Sequence, residues 1–423
     1  MPRAMNHLAP WLAAATVAIL AAGCWNLAAK RAPTPGTSAM PGTDQRPEPT
    51  TEELALDVAR RQHATGGLDA LGFEVFAAIA SASPTVNLAL SPASLGRALL
   101  MAYFGAQGST KDELATALGM PDQTDTTVGD WVDATGPSLK PDGVDIEVAD
   151  SAWIQAGFSV LPGFTSALQS HFGAAVGAFT DSTDGSQKIG AWIAQATKGL
   201  LDSYQMPVGT RVDLVDALYF KSRWGQVFDP SLTQDRPFYA SSTETIQVPT
   251  MDQSGRYSYA ETDGYQVIKL PYQNSVYAMY ILEASDSVSV PTPLDAPTFA
   301  SLAAALSEQP GEILLPRFSF SENQDLTGPL KAAGLAPVFT SGADFSGIAP
   351  GLFIGDVQQQ DHVTVDETGT VAAAATEIGM MGAAEPAATP PFRMDVDRPF
   401  TFVIRDDSTG GVLFVGHIAD PLL

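Results

Sequence analysis

The chain has 423 residues, 45% of them apolar, with 22 Lys and Arg against 47 Asp and Glu. That length and apolar fraction allow one large domain or a few small ones and exclude disorder for most of the chain. A net charge of −25 argues against nucleic acid as a partner, and a single cysteine excludes both an internal disulfide and a Cys-rich zinc site.

Met1 to Gly23 reads as a secretory signal. Arg3 supplies positive charge, Leu8 to Ala22 is apolar and uncharged, and the segment ends in the small residues Ala21-Ala22-Gly23. It stops at Cys24, the one cysteine of the protein. Leu20-Ala21-Ala22-Gly23-Cys24 resembles a bacterial lipobox, with Ala21 where Leu is commonest. Cys24 is therefore the expected lipidation site, and Trp25 after it favours the outer membrane. The expected location is exported and lipid-anchored at the outer membrane or cell surface, otherwise secreted or periplasmic. Residues 24–49, rich in Pro, Thr and Gly, are too polar to fold and read as an extended tether.

A single folded domain is expected over residues 50–423, opened by a capping box at Thr50-Thr51-Glu52-Glu53. Leu68, Leu71, Val75 and Ile79 share one helical face. Ser91-Pro92 opens a second helix, with serine as cap and proline where its missing N–H costs nothing, and Leu95, Leu99 and Ala102 line its buried side. Thr110-Lys111-Asp112-Glu113 reads as another capping box, its helix closed by Gly119. Ile189, Trp192, Ile193, Ala196 and Leu200 mark a further amphipathic helix.

Strands dominate afterwards. Val144, Ile146 and Val148 alternate with Asp145, Glu147 and Ala149. Val212 to Lys221 is nearly all apolar, as expected of a strand buried on both faces. Val267 to Leu270, Val276 to Leu282 and Ile313 to Phe320 follow. Phe400 to Arg405, a turn at Asp407-Ser408-Thr409-Gly410 and Val412 to His417 form a hairpin. This order makes an α+β fold. Within the 212–221 strand, period-2 alternation puts Asp216 on the face shared by Val212, Leu214, Leu218 and Phe220. A carboxylate there needs a specific partner, because burial without one is very costly.

Val363 to Ile378 carries the functional signal. Val363 and Val365 begin as a strand, Gly369 permits a bend, and the four alanines Ala372, Ala373, Ala374 and Ala375 follow. Thr370, Ala372, Ala374, Thr376 and Ile378 share one parity and are small or apolar, while Glu367 and Glu377 lie on the other. That is a strand pattern written into a segment that ends as a loop of Gly, Met, Ala and Pro, which makes it a candidate switch.

Four motifs in order now resemble one family. Asp366-Glu367-Thr368-Gly369-Thr370 followed by alanines looks like the reactive-loop hinge of the serpins. Asn87 to Ser94 resembles their early-helix signature, Val215 to Trp224 with Phe228 their strand ending in a tryptophan, and Arg398 to Arg405 with Leu413 to Gly416 their closing hairpin. The resemblance spans about residue 53 to Pro421. It implies helices packed around a large central mixed β-sheet plus two smaller sheets, with an exposed reactive loop at about 367–392. It implies Asn87, Ser91, Ser94, Asp216, Trp224 and Gln359 in the region where the central sheet opens. Asp216 and Gln359 stand where the family commonly has Asn and His, and they would still pair an acceptor with a donor.

The resemblance also implies function: an inhibitor of serine-type proteases rather than an enzyme. Its loop is cut, its acyl-enzyme is trapped, and the hinge inserts into the central sheet. Family spacing puts the scissile bond roughly sixteen residues beyond Glu367, at Ala383–Ala384, with Met380 or Met381 as alternatives. Elastase-like, subtilisin-like or chymotrypsin-like targets are expected, since nothing basic lies between Thr370 and Pro391. A monomer is expected, with no cofactor, no metal and no nucleic acid. The competing readings are a non-inhibitory serpin acting as a cell-surface scaffold, and an enzyme using Ser91, His362 and Asp366. Ser91 reads better as a helix cap, and His362 as a strand-edge residue.

Overall fold

The computed structural model describes residues 51–136, 143–273, 276–285, 294–370 and 392–423. The signal, Cys24, the tether, Thr50 and the loop from 371 to 391 lie outside them. Helices are α1 (Thr51–Ala82), α2 (Pro92–Tyr103), α3 (Gly108–Ala117), α4 (Asp125–Ala134), α5 (Pro162–Phe172), α6 (Ser182–Ala196) and α7 (Ala296–Ala304). Strands are β1 (Leu88–Leu90), β2 (Val144–Gln155), β3 (Ala175–Phe179), β4 (Val212–Arg223), β5 (Gln234–Phe238), β6 (Ile246–Thr262), β7 (Tyr265–Pro271) and β8 (Tyr277–Ala284). They continue with β9 (Ser307–Pro316), β10 (Phe318–Asp325), β11 (Gln358–Val365), β12 (Gly369–Thr370), β13 (Phe392–Asp395), β14 (Phe400–Asp406) and β15 (Val412–Ile418).

Leu68, Leu71, Val75 and Ile79 bury the inner face of α1, as their spacing requires. Ser91 caps α2, its hydroxyl accepting from the Ser94 amide at 3.1 Å, and Leu95 and Leu99 are 2% exposed beneath it. The second expected capping box is not one. Helix α3 starts earlier, at Gly108, and Thr110 inside it instead accepts the Asp344 amide, so tertiary contact claimed a hydroxyl that looked local. Gly119 does close the turn after α3, at φ +70 and with no room for a side chain against Gly67. Helix α6 stops at Ala196, leaving Leu200 in the connection to β4.

The central sheet is mixed, with six strands in the order β10-β11-β12-β4-β2-β3, of which only β2–β3 is parallel among the described pairs. The two smaller sheets run together as a nine-stranded sheet, because the 17-residue β6 pairs in turn with β5, β9 and β7. The apolar run 313–320 divides between the sheets: it breaks at Arg317, with β9 on one side and β10 on the other.

Helices α1 to α5 pack one core, centred on Phe73, Phe76, Leu100 and Trp131. A second core fills the space between the two sheets, with Phe220, Phe318, Val363 and Val365 of the central sheet against Tyr272, Met279, Phe400 and Phe402. Side chains of this size, removed from water, stabilise the fold by about 1.5–3 kcal/mol each. Helix α6 covers the other face of the central sheet, where Ile189 and Ile193 meet Phe179 and Val215. Strand β4 is therefore buried on both faces, and Asp216 faces α2 in unbroken register opposite Asp150.

Candidate functional site

The site begins where β11 turns back on itself. The Asp366 carboxylate accepts the amides of Thr368 (2.8 Å) and Gly369 (3.2 Å), and the Asp366 amide donates to the Gly369 carbonyl. This closes a tight turn that pairs Val365 with Thr370. On its other side β12 pairs with β4, Gly369 opposite Arg223 and Thr370 opposite Ser222. Gly369 lies so close to the Ser222 carbonyl that a Cβ would collide with it. Among the described residues, β4 and β11 are joined only through these two hinge residues. Below Thr370 lies a cavity of about 20 Å³, lined by Leu218, Tyr219 and Phe220 of β4 and by His362 and Val363 of β11. Alternate residues of each strand face opposite sides of the sheet, so the gap is lined from both faces.

The carbonyls of the turn are taken up. The carbonyls of Asp366, Glu367 and Thr368 accept from the Trp224 indole (2.8 Å), the Phe228 amide (3.0 Å) and the Trp224 amide (2.9 Å). Trp224 stacks on Tyr272 at 4.9 Å and 5°, and the Tyr272 hydroxyl shares a 2.5 Å hydrogen bond with that of Thr370. Glu367, 7% exposed, accepts from Thr233 and from the Arg317 guanidinium (Nε at 2.7 Å). Burial raises the Glu367 pKa, but the bonds from Thr233 and Arg317 outweigh it and hold the carboxylate below its ordinary value.

Deeper in the gap is a row of buried acids. Arg97 of α2 forms a bidentate pair with Asp150, with Nε 2.8 Å and Nη2 2.7 Å from Oδ2, and its Nε lies 3.7 Å from Asp216. Ser94 donates to Oδ1 of Asp216, whose Oδ2 is buried without a hydrogen-bond partner. Asp361 of β11 is 4% exposed and also has an unpartnered oxygen. Burial and then the Asp150 charge push Asp216 well above the usual carboxylate range, and burial raises Asp150 as well, against the lowering pull of Arg97. Burial alone lifts Asp361 to about 7.

Two expectations are corrected here. Gln359 does not bond to Asp216. Both ends of its amide go to the Ser91 main chain, at 2.8 and 3.1 Å, and the partners of Asp216 are Ser94 and Arg97. Asn87 is not in the opening region. It holds the C-terminus, donating to the Asp420 carbonyl and accepting the amides of Ala419 and Asp420. Ser91, Ser94, Asp216 and Gln359 gather at the N-terminus of α2, and Trp224, Glu367, Gly369 and Thr370 at the top of the gap. Ala372, Ala373, Ala374, Ala375, Thr376, Met380, Met381, Ala383, Ala384 and Cys24 lie outside the described residues. Ser91, His362 and Asp366 form no triad: Ser91 caps α2, His362 bonds Ser321 and Thr364, and Asp366 closes the turn. Sequence reading missed Arg97, Asp150, Asp361, Tyr272 and Arg317. None stands in a motif, and an arginine within a helix (as Arg97 is) normally reads as a solvated face.

The fold and this gap define a class of protein. A family model described as serpin (serine protease inhibitor) matches residues 67–421. Serpin-Z7 of Hordeum vulgare is 32% identical over 88% of this chain and 98% of its own length. Neuroserpin of Homo sapiens is 28% identical over 89% of this chain and 92% of its own. Among solved structures, native protease nexin-1 with heparin matches with a TM-score of 0.74 at 25% identity, covering 86% of this chain and 99% of that one. Human thyroxine-binding globulin shares the fold with a TM-score of 0.76 at 24% identity, covering 85% and 99%. The chain belongs to the serpin family.

Proposed function

We propose that this protein traps serine-type endopeptidases by loop cleavage and strand insertion, is exported through Met1–Gly23 and is anchored by lipid at Cys24. The observation that carries the inhibitory reading is the seating of Gly369 and Thr370 between β11 and β4, which have no ladder of their own among the described residues. A strand has been started and its path lies below. The protease attacks the loop as a substrate and forms an acyl-enzyme at the residue before the scissile bond, Ala383 by family spacing. The severed hinge then zips downward, exchanging solvated backbone for ladder bonds, each worth about 0.5–1.5 kcal/mol net. The acyl-linked protease is carried across the molecule before deacylation.

Continuing the register of Thr370 brings Ala372 opposite Phe220 and Val363, then Ala374 opposite Leu218 and Asp361, and then Thr376 between Asp216 and Gln359. The parity with small residues enters the core face, and the Thr376 hydroxyl arrives at the row holding the unpartnered Asp216 oxygen. Small loop residues at the scissile bond suit elastase-like and subtilisin-like enzymes with shallow pockets. The methionines also suit chymotrypsin-like ones.

The test is incubation with elastase, subtilisin and chymotrypsin. An SDS-stable band at the summed mass, and a large rise in Tm of the cleaved protein, are the expected results. A Tm rise without a covalent band would make the chain a non-inhibitory serpin serving as a scaffold. No Tm rise would overturn insertion itself.

A further inference from the structure

The structure assigns Tyr272 as a positioning residue whose hydroxyl keeps Thr370 seated in the central sheet before any protease arrives. The inference rests on the insertion reading above and adds a residue outside the hinge to it. Tyr272 is 0% exposed and directly follows β7 of the nine-stranded sheet, at the start of the turn joining β7 to β8. That turn is stitched to the end of β4. The Gly225 amide donates to the Pro271 carbonyl at 2.8 Å, the Gln273 amide donates to the Arg223 carbonyl at 2.8 Å, and Tyr272 itself bridges to Trp224. Stacking on Trp224 and an edge contact to Phe220 at 5.1 Å leave the ring no freedom. The hydroxyl is therefore presented at one fixed point, where it meets Thr370, itself 3% exposed.

Both residues are buried, and among the described residues neither hydroxyl has another hydrogen-bond partner, so each depends on the other. Expelling Thr370 from the sheet would strand the Tyr272 hydroxyl, and removing the Tyr272 hydroxyl would strand that of Thr370. The first inserted residue thus has its ordering cost met in the uncleaved protein, and after cleavage insertion starts from a formed pair rather than a free loop. Insertion competes with deacylation, so this head start favours trapping over release.

The experiment compares wild type with Tyr272→Phe, which keeps the stacked ring, and with Tyr272→Phe/Thr370→Val, which removes both polar groups. Hydrogen exchange is read over residues 366–370 in the uncleaved protein, and the stoichiometry of inhibition is read against subtilisin. Tyr272→Phe should speed hinge exchange about tenfold and raise the stoichiometry severalfold, while the double variant returns toward wild type, because replacing both partners by apolar groups is close to neutral. Unchanged exchange in Tyr272→Phe, or a double variant as impaired as the single one, would overturn the assignment. The exchange reading needs no target protease: a wild type that forms no covalent complex would sink the inhibitory function and leave the seating of Thr370 to be judged on exchange alone.

Discussion

Glu367 and Arg317 face each other across the top of the gap, the carboxylate of the hinge turn accepting from the guanidinium at the junction of β9 and β10. The pair fastens the movable segment to a point shared by both sheets. Glu367→Lys would set an ammonium beside that guanidinium and strand Thr233, and we expect it to lower native stability by about 3 kcal/mol. Arg317→Ala should cost only about 1 kcal/mol, because the arginine is 43% exposed and screened by water. Urea unfolding of the two variants checks the order. Equal losses would mean that the hinge carboxylate is not the buried partner.

Thr370 occupies a pocket with no space for charge. Thr370→Arg must either leave the sheet or carry a guanidinium into the packed zone around Tyr272, and both block the start of insertion. The variant should be cleaved as a substrate, with SDS-stable complex reduced at least tenfold in densitometry against subtilisin. Full complex yield would show that insertion does not begin at this residue.

Thr376 should meet Asp216 only after cleavage. Thr376→Val leaves the Asp216 oxygen unpartnered in the inserted form, at a cost of about 1–3 kcal/mol. Its cleaved form should melt several degrees below cleaved wild type, with the uncleaved forms melting together. Thr376→Ser should restore the difference. An equal shift in cleaved and uncleaved proteins would place the residue outside the inserted register.

Buried acids set the pH dependence. Burial raises Asp361 and Asp69 to about 7, Asp213 to about 6 and Glu283 to about 8. Over these windows the folded chain keeps protons that the unfolded chain has released. Stability is thus fully present below the ordinary carboxylate range and is lost as the pH climbs to 6–8, by about 1.4 kcal/mol per pH unit for each group. His417 opposes this on the acid side. Burial lowers it to about 4, so its contribution is lost as the pH falls below about 6.5. The difference between Asp361→Asn and wild type isolates one group. The urea midpoint advantage of the variant should grow from pH 5 to 7 and then level off, and a difference constant with pH would contradict the assignment.

The α+β class, the α2 cap at Ser91, the inward Asp216 of β4 and the closing hairpin were legible because each rests on short-range rules. Periodicity, capping and turn chemistry act within a few residues and are written in one dimension. Of the hinge, the turn at Gly369 was legible, and Thr370 lies in a strand, β12; the residues after it lie outside the described ones. The partners of its parts were decided in three dimensions: Asp216 bonds Ser94 and lies 3.7 Å from Arg97 rather than bonding Gln359, and Asn87 went to the C-terminus. Thr110 likewise left its expected cap for Asp344. A hydrogen-bonding side chain takes whichever buried group packing brings within about 3 Å, and that choice spans hundreds of residues of chain. Tyr272 shows the limit most clearly: 98 residues separate it from Thr370, and only the meeting of two sheets makes them neighbours.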